Sequence, residues 1–498
     1  MTTSTININI TQICEAIRSN NAETKKPAQE AIIIEGTNNY YNLIAELSNY
    51  LCMENQSEGN RQLCGILLKN LINGDNGIYS AFRGKWLNLP KEQNSLIKKF
   101  IFATLGASSK LVRSSASLCI SAICSLEFPL GEWFEILVNL DAAARGSNQT
   151  FREASILTIK NIMQDVEVDV INGNNLGLIL FSIMSNLSPE TPSEIRKEAL
   201  SALLYTLASC KEYMVINEKR EKIMGLIYSA LSTNEEERLL GLQCLIEVAK
   251  YFYNEVEAHL QEISGLMKNY IMGIKKLKDV EDRVITIFFQ FWNIIAETEV
   301  VYHSKKFPVK DYSVKYINDL LFFCITLLEK RGVEEDKDEF LPHRSIEELL
   351  IKLNKIPTLD IIDSLMQYAG TFLSNNQIPR AKQSGMLIIL STISSCHILK
   401  VNKMINDNLK NILEKMEDND LEVQILTSVI LYKICKFHSD KMSNDQQNFI
   451  LNYLLSKVSN IKSINKEIAV NINKALNEFC KLIPLKMNSS KYSLNFYS

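Results

Sequence analysis

Glycine and proline are scarce in this chain, at 18 and 10 residues among 498. A fold of many short strands needs both for its tight turns, so their scarcity argues against a β-rich architecture. Histidine is rarer still. His259, His303, His343, His397 and His438 lie far apart, and none of the eleven cysteines forms a C-x-x-C pair, so no zinc pattern appears. The phosphate-binding, dinucleotide, metalloprotease and nucleophile-elbow motifs are all missing. No His/Cys/Asp constellation falls on adjacent segments, so neither a catalytic site nor a cofactor is expected. A formal net charge of −3 leaves no basic excess, and direct nucleic-acid binding is not expected. The opening MTTSTININITQICEAIRSN lacks the basic stretch and apolar core of a secretory signal. No run of 18 apolar residues suggests a membrane span.

What is present is ample apolar content, 46% hydrophobic against 22% charged, over a length too great for one ordinary core. Residues 109–140, SKLVRSSASLCISAICSLEFPLGEWFEILVNL, show its organisation. Leu111, Val112, Ala116, Leu118, Ile120, Ile123 and Leu126 return every three or four residues, the mark of a helix with one buried face. Ser114, Ser115, Ala116, Ser117, Ser121 and Ala122 keep part of its surface small enough for a neighbouring helix to approach closely. Pro129 then breaks the chain, and a second helix is expected through LGEWFEILVNL, with Trp133, Phe134, Leu137 and Leu140 on one face.

This hairpin recurs. An arginine opens successive apolar helices at Arg113, Arg152, Arg196, Arg238, Arg283, Arg344 and Arg380, with gaps of 39, 44, 42, 45, 61 and 36 residues. Most gaps match the 40–47-residue period of HEAT and armadillo repeats. After Arg380 the arginine is lost, though the helical pattern continues. The fold expected is all-α, an α-solenoid of about eleven HEAT-like helical hairpins from about residue 5 to residue 483. Structural bonds to carbonyls or acidic groups of adjacent repeats are the expected role of the arginines. The cysteines, such as Cys119, Cys124, Cys244 and Cys435, fall inside apolar helices and read as buried free thiols in a reducing compartment. The 61-residue gap holds an irregular polar linker, 302–315, and an acidic run, GVEEDKDEF, at 332–340.

Several segments together resemble the importin β (karyopherin β) family of nuclear import receptors. They are NRQLCGILLKNLI at 60–72, the W-x-x-L and IKKFI pattern from Trp86 to Ile101, and VR-x-SA-x-x-CI-x-AI-x-x-x-EFP-x-x-EW-x-x-L from Val112 onward. The resemblance divides the chain into amino-terminal repeats at 1–108, the clearest match at 109–300, further repeats at 301–483, and a polar tail at 484–498. The family continues to about nineteen repeats, while this chain reaches about eleven.

The resemblance implies Ran-GTP binding on the second helices of the first repeats and on an acidic loop in the eighth. Lys69 and Asn70 stand where the family has a Lys-Asn dipeptide, and Asp165 where it has an acidic residue. Glu334, Glu335, Asp336, Asp338 and Glu339 correspond to the acidic loop, shorter here and interrupted by Lys337. Phe-Gly nucleoporins are implied at Leu180, Phe181, Met184 and Ile223, although Lys219 and Lys222 replace an acidic and an aromatic residue of the family. Trp86, Trp133 and Trp292 match family tryptophans read as packing residues, while Val429 and Phe340 stand where the family has tryptophan. A cargo or importin-α-like adaptor is the third implied partner. Cytoplasm, nucleus and pore complex are the implied locations. The rival reading is a HEAT-repeat scaffold that holds partner proteins without Ran dependence.

Overall fold

The computed structural model describes residues 9–74, 77–273, 279–329, 341–375, 381–394, 398–459 and 464–481. Among them every regular element is helical, and the α-helices fall into eleven pairs. In chain order the first six pairs are α1 (Ile10–Arg18) with α2 (Ala22–Asn38), α3 (Tyr40–Cys52) with α4 (Glu58–Asn73), α5 (Lys91–Thr104) with α6 (Lys110–Glu127), α7 (Glu135–Ala144) with α8 (Gln149–Asp165), α9 (Gly173–Met184) with α10 (Ser193–Thr206), and the broken helix α11 (Lys211–Val215) and α12 (Asn217–Leu231) with α13 (Glu235–Tyr251). The remaining five are α14 (Leu260–Gly273) with α15 (Asp279–Lys305), α16 (Tyr312–Lys315) and α17 (Ile317–Glu329) with α18 (Leu341–Leu353), α19 (Ile362–Ser374) with α20 (Ala381–Ile393), α21 (Ile398–Glu414) with α22 (Leu421–Phe437), and α23 (Asn444–Ser459) with α24 (Lys466–Cys480). This is the α-solenoid of HEAT repeats that the periodicity implies.

The chain forms two compact units, Met1–Phe252 and Tyr253–Ser498, dividing inside the segment of clearest family match. Within the first, the second helices stack in order, α4 on α6, α6 on α8, α8 on α10 and α10 on α13. Within the second, α15, α18, α20, α22 and α24 do the same.

The local chemistry of each hairpin is readable. Second helices open on polar caps: Ser57, Ser109, Asn148, Asn234, Asp420 and Asn465 accept backbone N–H groups of the first turn. Arg61, Arg113, Arg152, Arg196 and Arg238 are each the fourth residue of their helix. Most reach back to carbonyls that end the preceding helix or its turn. Arg61 Nε donates to Leu51 O at 2.9 Å, Arg113 Nη1 to Ala107 O at 3.0 Å, and Arg238 Nε to Leu231 O at 3.1 Å. A cation there also meets the negative end of the preceding helix dipole. Arg61 belongs to this series although the 52-residue gap to Arg113 hid it. In α22 the arginine is replaced by Gln424, whose amide donates to Asp418 O at 2.6 Å. Arg380 lies outside the described residues.

Two kinds of contact between repeats stand out. Small residues let helices approach: Cys119 Sγ of α6 donates to Gly65 O of α4 at 3.1 Å, and a Cβ on Gly65 would stand 2.5 Å from Ser115 Oγ. Ion pairs tie the second helices in sequence, Arg113 to Glu153 at 3.2 Å, Lys160 to Glu198 at 2.9 Å and Arg196 to Glu237 at 2.9 Å. The arginines therefore have the structural role expected, but their carbonyl partners belong mostly to their own hairpin.

Two expectations need correction. Trp133 and Phe134 precede α7 instead of lying in it. Pro129 lies in a 3₁₀ turn, Phe128–Leu130, capped by Gly131 at φ 76°, and Trp133 itself has φ 61°, so the helix starts at Glu135. Segment 302–315 is not a loose polar linker, because α15 runs to Lys305 and Tyr312 and Ser313 are buried. Residues 110–130 and 283–305 are helices long and apolar enough to cross a membrane by length and composition. Both are mostly buried against neighbouring helices, which marks them as core.

Candidate binding surfaces

The second-helix layer of the first unit carries three of the residues expected to bind Ran. Lys69 and Asn70 are half-buried near the end of α4, and Asp165 is exposed as the last residue of α8, with α6 stacked between. Each also has a local role. Lys69 lies beside the Cys119 thiol, and the Asn70 side chain lies beside the Tyr79 hydroxyl. Asp165 Oδ2 accepts from Ser121 Oγ at 2.7 Å, while Asn161 Nδ2 donates to Ser117 Oγ at 2.8 Å. These bonds make a polar seam between α6 and α8 that fixes where the Asp165 carboxylate stands. The acidic residues Glu334, Glu335, Asp336, Asp338 and Glu339 lie outside the described residues.

On the first-helix layer the four expected nucleoporin contacts separate. Leu180 belongs to the buried stripe of α9 with Leu176, Ile179 and Ile183, and Ile223 to that of α12 with Met224 and Ile227. Both are 1% exposed and present nothing to a ligand at the surface. The reason is register: each sits on the three- and four-residue spacing that faces the core. Phe181, 54% exposed, and the half-buried Met184 stand on the edge beside that stripe. The Arg145 guanidinium lies 5.1 Å from the Phe181 ring centroid and is held by Asp141, which also accepts from Ser182 Oγ at 2.8 Å. The substituted Lys219 has its ammonium 4.2 Å from the Tyr213 ring centroid, and Lys222 pairs with Glu218 at 2.8 Å.

Sequence reasoning missed one feature of the second-helix layer. A groove of about 490 Å³ between the ends of α10 and α13 is lined by Leu204, Tyr205, Ile246, Glu247, Lys250 and Tyr251. The available signal was an aromatic at an exposed position of each helix, Tyr205 and Tyr251. The expected packing roles are seen for two tryptophans. Trp86 Nε1 donates to the buried Glu127 at 2.8 Å, and Trp292 is fully buried against Phe291 and Tyr316.

No family model matches the chain. Individual relatives do. Importin subunit beta-1 of Saccharomyces cerevisiae is 20% identical over 413 residues, 80% of this chain and 47% of the relative. The Schizosaccharomyces pombe protein of the same name is 19% identical over 91% of this chain and 53% of its own length. The Arabidopsis thaliana protein is 23% identical over 58% of this chain and 33% of its own. Yeast importin-β, Kap95p, superposes with a TM-score of 0.82 at 17% identity, over 95% of this chain and 55% of that one. The chain is importin-β-like in sequence and in fold. It spans about a third to a half of the length of the curated relatives it matches. Other solved structures of that shape are Kap95p with RanGDP, whose switch loops its binding drives to the GTP-bound conformation (TM-score 0.80, 17% identity, 95% of this chain and 55% of that one), and a complex of Kap95 with Nup1 (TM-score 0.81, 18% identity, 96% and 56%).

Proposed function

We propose that this chain is a nuclear transport receptor of the importin β type, working by binding and not by catalysis. Its partners on this reading are Ran-GTP, Phe-Gly nucleoporins and a cargo or importin-α-like adaptor, and it moves between cytoplasm and nucleus through the pore. The observation that carries the reading is the similarity to importin subunit beta-1 across 80% to 91% of the chain in the two yeast relatives. Ran would meet the second-helix layer at Lys69, Asn70 and Asp165 together with the acidic run 334–339. Phe-Gly segments would meet Phe181 and Met184, the two of the four implied residues with accessible side chains. Ran-GTP would release cargo if the two ligands favour different conformations of one array, a coupling free energy that needs no chemistry.

The deciding experiment is capture of purified Ran, loaded with GTP or with GDP, on the immobilised chain. Strong retention of the GTP form over the GDP form is expected. Equal capture, or none, would replace the receptor with a scaffold that holds partners without Ran.

A further inference from the structure

Two buried thiols face each other in the first unit. Cys14 of α1 and Cys64 of α4 are both fully buried, with their sulfur atoms 3.6 Å apart. They are 50 residues apart in sequence and are brought together by an antiparallel match of two helix faces. One turn along α1, Arg18 donates from Nη1 to Asn60 Oδ1 at 3.0 Å. Its guanidinium also lies so close over Gly59 that a Cβ there would stand 2.4 Å away. Cys14 and Arg18 are thus one turn apart on α1, as Asn60 and Cys64 are on α4. Thr11 adds a hydroxyl bond to Tyr50 at 3.1 Å. Other buried thiols, Cys119 and Cys210, donate to backbone carbonyls instead, and burial pushes each of them up to about 12.

We propose that Cys14 and Cys64 form a redox-sensitive modification site, closed to a disulfide by a peroxide-class oxidant, which ties α1 to α4. The two sulfurs are not equivalent. The contact with the Cys64 sulfur and the positive charge of Arg18 nearby hold the Cys14 thiol below its ordinary range against the opposing cost of burial. The same contact, with burial, raises the Cys64 thiol. Because Arg18 stands one turn from Cys14 on the same helix and stays with it when α1 opens, Cys14 is the nucleophile and Cys64 the resolving thiol.

Brief opening of α1, a helix of nine residues, admits the oxidant at lower cost than unfolding the unit. The Cys14 thiolate attacks one peroxide oxygen, the O–O bond breaks, and the departing hydroxide takes a proton to become water. Cys14 is left as a sulfenic acid, its sulfur oxidised by two electrons. When α1 re-docks, the Cys64 sulfur attacks the Cys14 sulfur and gives up its proton. The S–S bond forms, the S–O bond breaks, and a second water leaves. In sum, two thiols and one hydrogen peroxide yield a disulfide and two waters.

The test treats the full chain with hydrogen peroxide, blocks remaining thiols with iodoacetamide, and maps peptides without reduction. A Cys14–Cys64 cross-linked peptide should accumulate and vanish with dithiothreitol. Amide exchange in α1 should slow by on the order of tenfold in the oxidised form. In Cys64→Ala the cross-link should be lost, and dimedone should trap a sulfenic acid on Cys14. Circular dichroism checks that this variant folds, and the wild-type map decides the matter without it. The proposal is overturned if Cys14 and Cys64 stay reduced while the half-buried Cys52 and exposed Cys480 oxidise. It is equally overturned if Cys14 pairs as readily with Cys52 as with Cys64.

Discussion

Removing Arg196 would strand the Glu237 carboxylate, which is 1% exposed and receives both Nε and Nη2 of that guanidinium, at 3.0 and 2.9 Å. Breaking one side of such a pair costs up to about 3–5 kcal/mol, because the remaining buried charge keeps only neutral hydrogen-bond donors, Ser193 and Asn234. Arg196→Met should therefore lower the denaturation midpoint of the first unit, and Glu237→Gln in the same chain should recover part of the loss. Burial opposes the charge of Glu237, but bonds from Arg196, Ser193 and Asn234 outweigh it and hold the carboxyl below its usual range. Its stabilising contribution is then present above the unfolded carboxyl value, about pH 4.3, and is lost as pH falls through the lower folded value. Glu299 has the opposite sign. Burial raises its carboxyl, although Tyr253 donates to it at 2.9 Å and the Ser313 backbone N–H at 3.2 Å. A raised folded value stabilises the protonated form, so this contribution is present at low pH and is lost as pH rises through the unfolded value toward the folded one. Glu299→Gln should accordingly gain stability relative to the parent chain as pH rises from 4 to 7.5, measured by urea melts at each pH. At the surface, Met184→Asp should weaken capture of Phe-Gly peptides without changing the helical spectrum, since a carboxylate cannot be desolvated cheaply against a phenyl ring. Unchanged capture by the folded variant would move that site elsewhere.

At the scale of helices, the close approach of α4 and α6 depends on what Gly65 lacks. An alanine there would place its Cβ 2.5 Å from Ser115 Oγ and 2.6 Å from Ser115 Cβ, forcing the pair apart. Gly65→Ala should cost about 1–3 kcal/mol of stability by overpacking. Ser115→Gly in the same chain should return part of it, and a failure to do so in denaturant melts would place the contact elsewhere. The serines and alanines of 114–122 made this approach legible in the sequence, as three- and four-residue spacing made the helices legible. Other features were not. Leu180 and Phe181 are neighbours in an apolar helix, and one is core while the other is surface; composition cannot separate them, because only the register against α7 and α10 does. The short helix at Tyr312–Lys315 was hidden inside polar sequence, since its anchor is the distant Glu299. Arg61 escaped the repeat count because residues 77–90 lengthen that interval with turns and 3₁₀ segments.

For the molecule as a whole, the charges at 334–339 offer a kinetic test of the receptor reading. Reversing Glu335, Asp336 and Asp338 to lysine should slow association with Ran-GTP at low salt and flatten its salt dependence, because charges of one sign steer a basic partner over long range. Stopped-flow rates that match the parent chain would make the segment a plain connection. The hairpin ties described above carry a different consequence. Arg113 reaches Ala107 across six residues, Arg238 reaches Leu231 across seven, and Arg61 reaches Leu51 across ten. Such short separations cost little loop entropy to close. A hairpin of some forty residues can therefore shut its own turn while the ribosome is still making the next, at the ordinary pace of about 5–20 residues per second. Synthesis would then resemble laying courses of brick, each setting before the following one arrives.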